Sequence, residues 1–388
     1  MAEDLLSLSF SSTSTLSDNN LISIPIFDPT QSQNSKKIYS IIGIGDPIVD
    51  IISEINADII SEHELKLGDS IFASEDCANK NIEMFNILEN NRSVNYVPGG
   101  SVQNTLRVLS WNLINDYDLI NTRETFQITM LGSVGDDQYK NKIINSLEDI
   151  GVNPLLEILP GDKTSRCGVG IYQKEKLFIT QLRASKRLSE KFIENNFDKI
   201  SEHQALLIEG YLIQNKFNII EKLCNYFLAK NKKIIFTLSA KFIVEMHYEK
   251  LIRLANEADI IAGNMEEALA LGGEEGKNIQ EIFNNIFRKL KPKKNRIILI
   301  TDGANGAFCA KYVKNKLEFI LQCLAPKIED EDIKDLNGAG DAFLGGFLSE
   351  YIKGNDLYDC CKKGINSATI ILKNVGCTFP KKTSLLKI

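Results

Sequence analysis

Short apolar runs recur along the chain, at Ile41-Ile42-Gly43-Ile44-Gly45, Ile128–Leu131, Ala205–Ile208, Ile234–Phe236, Asp259–Ala262 and Ile297–Ile300. Runs of this length, unbroken by polar residues, predict strands buried on both faces of a parallel sheet. Between them apolar residues return at helical spacing: Val102, Leu106, Leu109 and Leu113, then Phe217, Ile220, Leu223 and Cys224, then Ile282, Phe283, Ile286 and Leu290. Strand and helix in alternation predict an α/β fold, a doubly wound and mostly parallel sheet with helices on both faces. Two stretches break that rhythm. Residues 51–98 and 164–187 carry short alternating pieces (Ser70-Ile71-Phe72-Ala73 and Cys167–Tyr172) and read either as a small β-rich lid or as surface loops. The large domain is then expected over 38–50, 99–163 and 188–388. Residues 1–37, rich in Ser, Thr, Asn and Asp, are expected to be a poorly ordered extension.

Composition narrows the function classes. The 388 residues hold 45 Lys+Arg against 51 Asp+Glu, a net charge of −6. That balance argues against a dedicated nucleic-acid binder, which needs a basic face. No run approaches the roughly 18–20 apolar residues of a membrane span. Eight scattered cysteines form no Cys-x-x-Cys pair, and with only three histidines a zinc site has little support. The first basic residue is Lys36, so neither a secretory signal nor a mitochondrial presequence is read at the N-terminus, and a reducing, cytoplasmic location is expected.

The strongest chemical signal is Asp335-Leu336-Asn337-Gly338-Ala339-Gly340-Asp341, a glycine-rich turn running into a helix with Phe343, Phe347 and Tyr351 on one stripe. Bare backbone at Gly338 and Gly340 permits close approach of a ligand. The amides of Gly338, Ala339 and Gly340 at a helix start would attract an anion. Asp341 then puts a carboxylate beside that anion. It is read either as a base taking a proton from a hydroxyl that attacks a phosphate, or as a simple partner of the helix dipole. The dipole is expected to lower its pKa below the usual ~3.9. An ionised Asp of that kind orients a nucleophile whose proton leaves late.

This run resembles the C-terminal signature of the ribokinase-like (PfkB) carbohydrate kinases, specifically their adenosine kinase branch. Gly43–Ile51 looks like the family's first strand with its ribose-binding Asp50. Pro98-Gly99-Gly100-Ser101-Val102-Gln103-Asn104 resembles the N-terminal di-glycine signature. Ile260–Glu267 looks like the Asn-x-x-Glu motif, Thr301-Asp302-Gly303 like the nucleotide loop, and Gly376–Pro380 like the adenosine kinase tail. The resemblance spans about residues 38–380. It implies an enzyme transferring the γ-phosphoryl group of ATP to the 5′-hydroxyl of adenosine, with Mg²⁺ as cofactor and a monomeric chain. Asp341 with the amides of Gly338, Ala339 and Gly340 would be catalytic. Asp50, Gly99, Gly100, Ser101 and Asn104 would hold the acceptor. Asn264, Glu267, Thr301, Gly303 and Asn337 would face the donor, with Mg²⁺ reached through water near Asn264 and Glu267.

Read on their own chemistry, several positions keep a second meaning. Asp50 can accept two hydrogen bonds from a diol or act as a cap, and Asn104 can lie on a helix surface. Asn264 followed by Glu267 is a capping-box pattern as well as a phosphate-side motif. Leu336 stands where the family usually has Thr, removing a hydroxyl near the donor. Arg183, Lys186 and Arg187 are either solvated or phosphate-directed, and Phe72 and Tyr211 are candidates to pack on a purine. A P-loop kinase is disfavoured: Gly272–Asn278 lacks the hydroxyl that would hold Mg²⁺. A dinucleotide dehydrogenase is disfavoured because Asp46-Pro47-Ile48 follows Gly45. A related kinase for another nucleoside or a free sugar, or a non-catalytic nucleoside binder, remains an alternative on the same fold.

Overall fold

A computed structural model describes residues 38–63, 70–72, 80–116, 125–173, 175–273, 276, 278–290 and 295–380. The N-terminal extension therefore lies outside the described residues. The strands are β1 (Ile38–Ile44), β2 (Ile48–Glu54), β3 (Ser70–Phe72), β4 (Asn95–Gly99), β5 (Thr125–Gly135), β6 (Val152–Leu159), β7 (Ser165–Tyr172) and β8 (Glu175–Gln181). They continue with β9 (Ala205–Glu209), β10 (Lys233–Thr237), β11 (Ile260–Asn264), β12 (Arg296–Thr301), β13 (Ala307–Val313) and β14 (Lys316–Cys323).

Nine strands form one sheet in the order β14-β13-β12-β11-β10-β9-β1-β5-β6. From β6 to β12 every pairing is parallel, and only β13 and β14 run antiparallel at one edge. The doubly wound α/β class read from the sequence is the observed one. Its cause is visible in how side chains are shared between two cores. Ile41, Leu207, Ile235 and Leu299 enter one core with Leu106, Leu109, Phe343 and Phe347. Their neighbours Ile42, Leu206, Ile234 and Ile298 enter the other with Leu223, Phe227, Phe283 and Ile286. Both faces of the central strands β1, β9, β10 and β12 are covered, so these read as continuous apolar runs rather than as alternation.

The second sheet has five strands, in the order β3-β8-β7-β2-β4. Its strands alternate because one face packs inward while the other borders the cavity described below: Val49 and Ile51 are buried, whereas Asp50 is half-buried between them. Asp50 thus lies inside β2, paired opposite Val97 of β4, a strand separate from β1 rather than part of one run with it.

Doubly wound sheets bind ligands beyond the carboxyl ends of their strands, where the chain order reverses. Here β1 lies between β5 and β9, and the helix Ser101–Ile114 enters directly from β4. Gly100, at φ 103°, makes the corner, and a β-carbon there would collide with the carbonyl of Asp46.

Candidate active site

Beyond the carboxyl ends of β1, β9, β10, β11 and β12 lies a cavity of about 510 Å³, closed on its other side by the small sheet. Its wall includes Asp50, Gly100, Ser101, Asn104, Asn264, Glu267, Thr301, Asn337, Gly338, Gly340 and Asp341, so most of the residues singled out from sequence meet in one place. Gly99, Gly303 and Ala339 are not part of the lining. Gly99 works indirectly, because a β-carbon on it would stand 2.5 Å from Oδ2 of Asp50; the bare backbone makes room for that carboxylate. Gly303 lies in a short 3-10 turn after β12, where a β-carbon would meet nothing within 4 Å.

Asp341 sits in the first turn of the helix Ala339–Tyr351. Gly338 precedes it in the left-handed region at φ 76°, and no side chain caps the helix, leaving first-turn amides available. Ser101 Oγ donates to Oδ1 of Asp341 at 2.7 Å, and Asn104 Nδ2 donates to Oδ2 at 3.1 Å. The two helices that carry the glycine signatures are therefore joined through this one carboxylate. Burial raises the Asp341 pKa, partly opposed by the hydrogen bonds from Ser101 and Asn104. This corrects the expectation of a lowered pKa: desolvation of the carboxylate outweighs the hydrogen bonds it accepts. Each oxygen retains a second lone-pair site, so the two donors do not use up its capacity as an acceptor. Asn104 Oδ1, also buried, has no hydrogen-bond partner among the described residues.

Asp50 is pushed up to about 7, first by burial, then by the charges of Asp335 and Asp341, with Arg107 acting in the opposite direction. Arg107 donates through Nη1 to the carbonyls of Pro98 (3.2 Å) and Cys377 (3.0 Å), and lies over the ring of Phe379. Phe379 in turn stacks on Trp111 at 5.3 Å. The C-terminal tail is thereby fastened on the Asp50 side of the cavity.

On the other side, Asn264 and Glu267 form a reciprocal capping box for the helix Met265–Gly272. Asn264 Nδ2 also donates to Glu267 Oε1 at 2.9 Å. Both line the cavity, so the capping role leaves them facing it. Burial raises Glu267 to about 7. Asn337 N donates to Oδ1 of Asp335, and Gly376 N to Oδ2, so the buried Asp335 ties the glycine turn to the tail. Leu336 is exposed in the cavity mouth.

Tyr211 and Phe178 stand in the wall with Cys167 and Thr180. The side chain of Phe72 lies outside the described residues. Arg187 pairs with Asp162 at 3.1 Å, and neither it nor Arg183 nor Lys186 lines the cavity.

Sequence reasoning passed over Glu209, the last residue of β9. Its Oε1 accepts from Asp46 N at 2.8 Å and its Oε2 from Val102 N at 3.0 Å. It thus holds the turn leading to Asp50 and the first turn of the helix bearing Ser101 and Asn104. Lys216 Nζ pairs with Asp46 Oδ1 at 2.6 Å, both almost fully buried. Burial and the charge of Asp46 raise the pKa of Glu209. An acidic residue ending an apolar strand, directly before Gly210, was the available signal.

Five carboxylates (Asp46, Asp50, Glu209, Glu267, Asp341) line the cavity, and no lysine or arginine among the described residues does so. No group of three or more His, Cys, Asp or Glu among the described residues could hold a metal ion directly. That donor set fits a magnesium ion carried by phosphates and reached through water, with one or two carboxylates behind it, and does not fit a protein-built cage.

The fold and this cavity define a doubly wound α/β enzyme with a ligand cleft roofed by a second sheet. The model of the pfkB family carbohydrate kinases matches residues 66–384, and the chain belongs to that family of kinases. Adenosine kinase 2 of Arabidopsis thaliana is 26% identical over 349 residues, 88% of this chain and 96% of that one. Adenosine kinase of Dictyostelium discoideum is 27% identical over 343 residues, 87% of this chain and 95% of that one. A crystal structure of Anopheles gambiae adenosine kinase with a di(adenosine) tetraphosphate superposes with a TM-score of 0.75 at 25% identity, covering 88% of this chain and 98% of that one. Among the described residues no helix is long and apolar enough to cross a membrane.

Proposed function

We propose that the chain is an ATP-dependent adenosine kinase, transferring the γ-phosphoryl group to the 5′-hydroxyl of adenosine to give AMP and ADP. The observation that carries this reading is Asp341: a buried carboxylate with two side-chain donors, at an uncapped helix N-terminus, facing a cavity that also holds Asp50. The similarity to adenosine kinases over nearly the whole chain supports adenosine as acceptor.

Asp50 would accept from the ribose diol while the bare backbone at Gly99 and Gly100 admits the sugar. Asn104, with its unpartnered Oδ1, would take a further sugar hydroxyl. The 5′-hydroxyl then lies against Asp341, which orients it and accepts its proton as the bond to phosphorus forms. A carboxylate whose pKa is raised by burial is a better acceptor than an exposed one. The amides of Gly338, Ala339 and Gly340 would stabilise charge on the transferred group, since they need no reorganisation. Asn264, Glu267, Thr301 and Asn337 would form the donor side. In a cavity lined by five carboxylates and no cation, a polyphosphate needs accompanying positive charge. Asn264 and Glu267 would hold Mg²⁺ through water, and the ion would supply positive charge beside the donor phosphates. The small sheet would act as a lid that excludes water, the competing acceptor.

ADP release by the purified chain with Mg·ATP, compared for adenosine, inosine, ribose and fructose, tests the assignment. A preference for adenosine by several decades is expected. Turnover preferring ribose or fructose would overturn the nucleoside reading. In Asp341→Asn, kcat is expected to fall about 10²–10⁴-fold while adenosine affinity is kept; an unchanged kcat would remove Asp341 as the base.

A further inference from the structure

The strands that end at the active cavity begin at a second recess. Its volume is about 240 Å³, below the roughly 300–1,000 Å³ of sites for drug-sized ligands, which suits a single small anion. It lies at the amino-terminal ends of β10, β11 and β12, the opposite end of the large sheet from Asp341. Lys232, Lys233, Arg296 and Lys311 line it, with Asp259 and Tyr351. Four cations against one carboxylate form a basic concavity on a chain whose net charge is −6.

Local partners account for part of that charge. Lys233 Nζ pairs with Asp259 Oδ1 at 3.2 Å, and Lys311 Nζ with Glu318 Oε2 at 2.7 Å. Lys232 Nζ donates to the carbonyl of Ser201. Asp259 is further engaged, because its Oδ2 accepts from Ile234 N at 2.8 Å.

Arg296 is the exception. It is 3% exposed, and its Nη2 donates to Asn256 O at 2.7 Å, while its buried Nε and Nη1 have no hydrogen-bond partner among the described residues. Burying a guanidinium with donors unused is costly, and its pKa is lowered to about 10, chiefly by desolvation. The hydroxyl of Tyr351 stays protonated, since burial and the charge of Asp259 hold its pKa above the ordinary value. It is therefore a neutral donor in the same wall.

The geometry points to this recess as a second anion site, distinct from the catalytic cavity, that takes a phosphate group. A tetrahedral oxyanion accepts from several directions at once, and a guanidinium with donors still unused offers it charge-assisted N–H bonds. Lys232, which has no carboxylate partner among the described residues, adds charge beside it. None of the recess-lining residues contributes to the active cavity, so occupancy of the two is structurally independent.

The test is calorimetric titration of inorganic phosphate into the full chain, with adenosine and a non-hydrolysable ATP analogue filling the active cavity, at constant ionic strength. One saturable site with a Kd on the order of 1 mM or tighter is expected. Arg296→Gln should weaken it at least about tenfold, and Lys232→Gln or Lys233→Gln about threefold each. A parallel titration with glycerol 3-phosphate separates the sources: tighter binding of the ester assigns the site to a phosphorylated metabolite, and binding of phosphate alone assigns it to the free ion. Absence of saturable binding of both, or equal affinity in wild type and variants, overturns the site. Should Arg296→Gln fail to fold, the two lysine variants decide by the same criterion.

Discussion

Replacing Asp50 by Asn separates what the residue does for substrate from what it does to the fold. Its carboxyl is pushed up to about 7 from an ordinary 3.8, mainly by burial and by the neighbouring charges of Asp335 and Asp341. Holding the anion in place at high pH therefore costs on the order of 4 kcal/mol. That figure is an upper bound, because Asp50 borders an open cavity where water screens it. A pKa raised in the folded state means that the native protein binds the proton more tightly than the unfolded chain does. Stability from this group is full below pH ~3.8 and is lost as pH rises through about 7. Asn has nearly the same shape and no charge to desolvate. At pH 8 Asp50→Asn should thus be more stable than wild type by about 1–3 kcal/mol, about 2–5 °C in Tm for a domain of this size. At pH 5 the unfolded carboxyl is already ionised while the native one is mostly protonated, so the advantage of Asn should shrink to roughly 40% of its pH 8 value.

The assay is calorimetric melting of the ligand-free chain at pH 5 and pH 8, paired with adenosine KM. The same substitution that stabilises the fold should weaken adenosine binding, since two charge-assisted bonds to the ribose diol would be lost. In wild type, kcat/KM for adenosine should rise with pH through about 7 and level off, because this ratio reports the free enzyme. Glu267 titrates in the same range, so the limb is assigned by difference: it should persist in Glu267→Gln and vanish in Asp50→Asn. If Asp50→Asn is less stable than wild type by the same amount at both pH values, Asp50 is a structural acceptor with unseen partners, and the diol assignment loses its basis.

Two further substitutions address neighbouring parts of the site. In Glu209→Gln one of the backbone donors of Asp46 and Val102 loses its acceptor and faces an amide N–H₂ instead, so stability should fall by about 1–3 kcal/mol. If Glu209 positions both acceptor-side segments, adenosine KM should rise while ATP KM stays within about twofold; equal changes in both constants would make its role merely structural. Leu336→Thr, at an exposed position in the cavity mouth, should leave adenosine KM unchanged, with any gain confined to ATP KM; a shift in adenosine affinity would show that the donor side is misplaced.

Much of this molecule was legible because its signals are local. Ile41–Ile44 and Ile297–Ile300 announce strands covered on both faces, and the glycine turn before Asp341 announces a helix start. Asn264 and Glu267 are neighbours on one helical turn, so their capping box follows from spacing alone. What escaped depends on distance along the chain. The bond from Ser101 to Asp341 joins residues 240 positions apart, and Glu209 reaches Val102 across 107. Neither is marked by periodicity, since a single buried carboxylate leaves the apolar pattern around it intact. The sign of the Asp341 shift escaped for the same reason. The helix dipole is readable from sequence, but desolvation depends on which walls the fold brings round the carboxylate. Those walls are β-strands from two sheets, and their approach is what turns an ordinary first-turn Asp into a group able to take a proton.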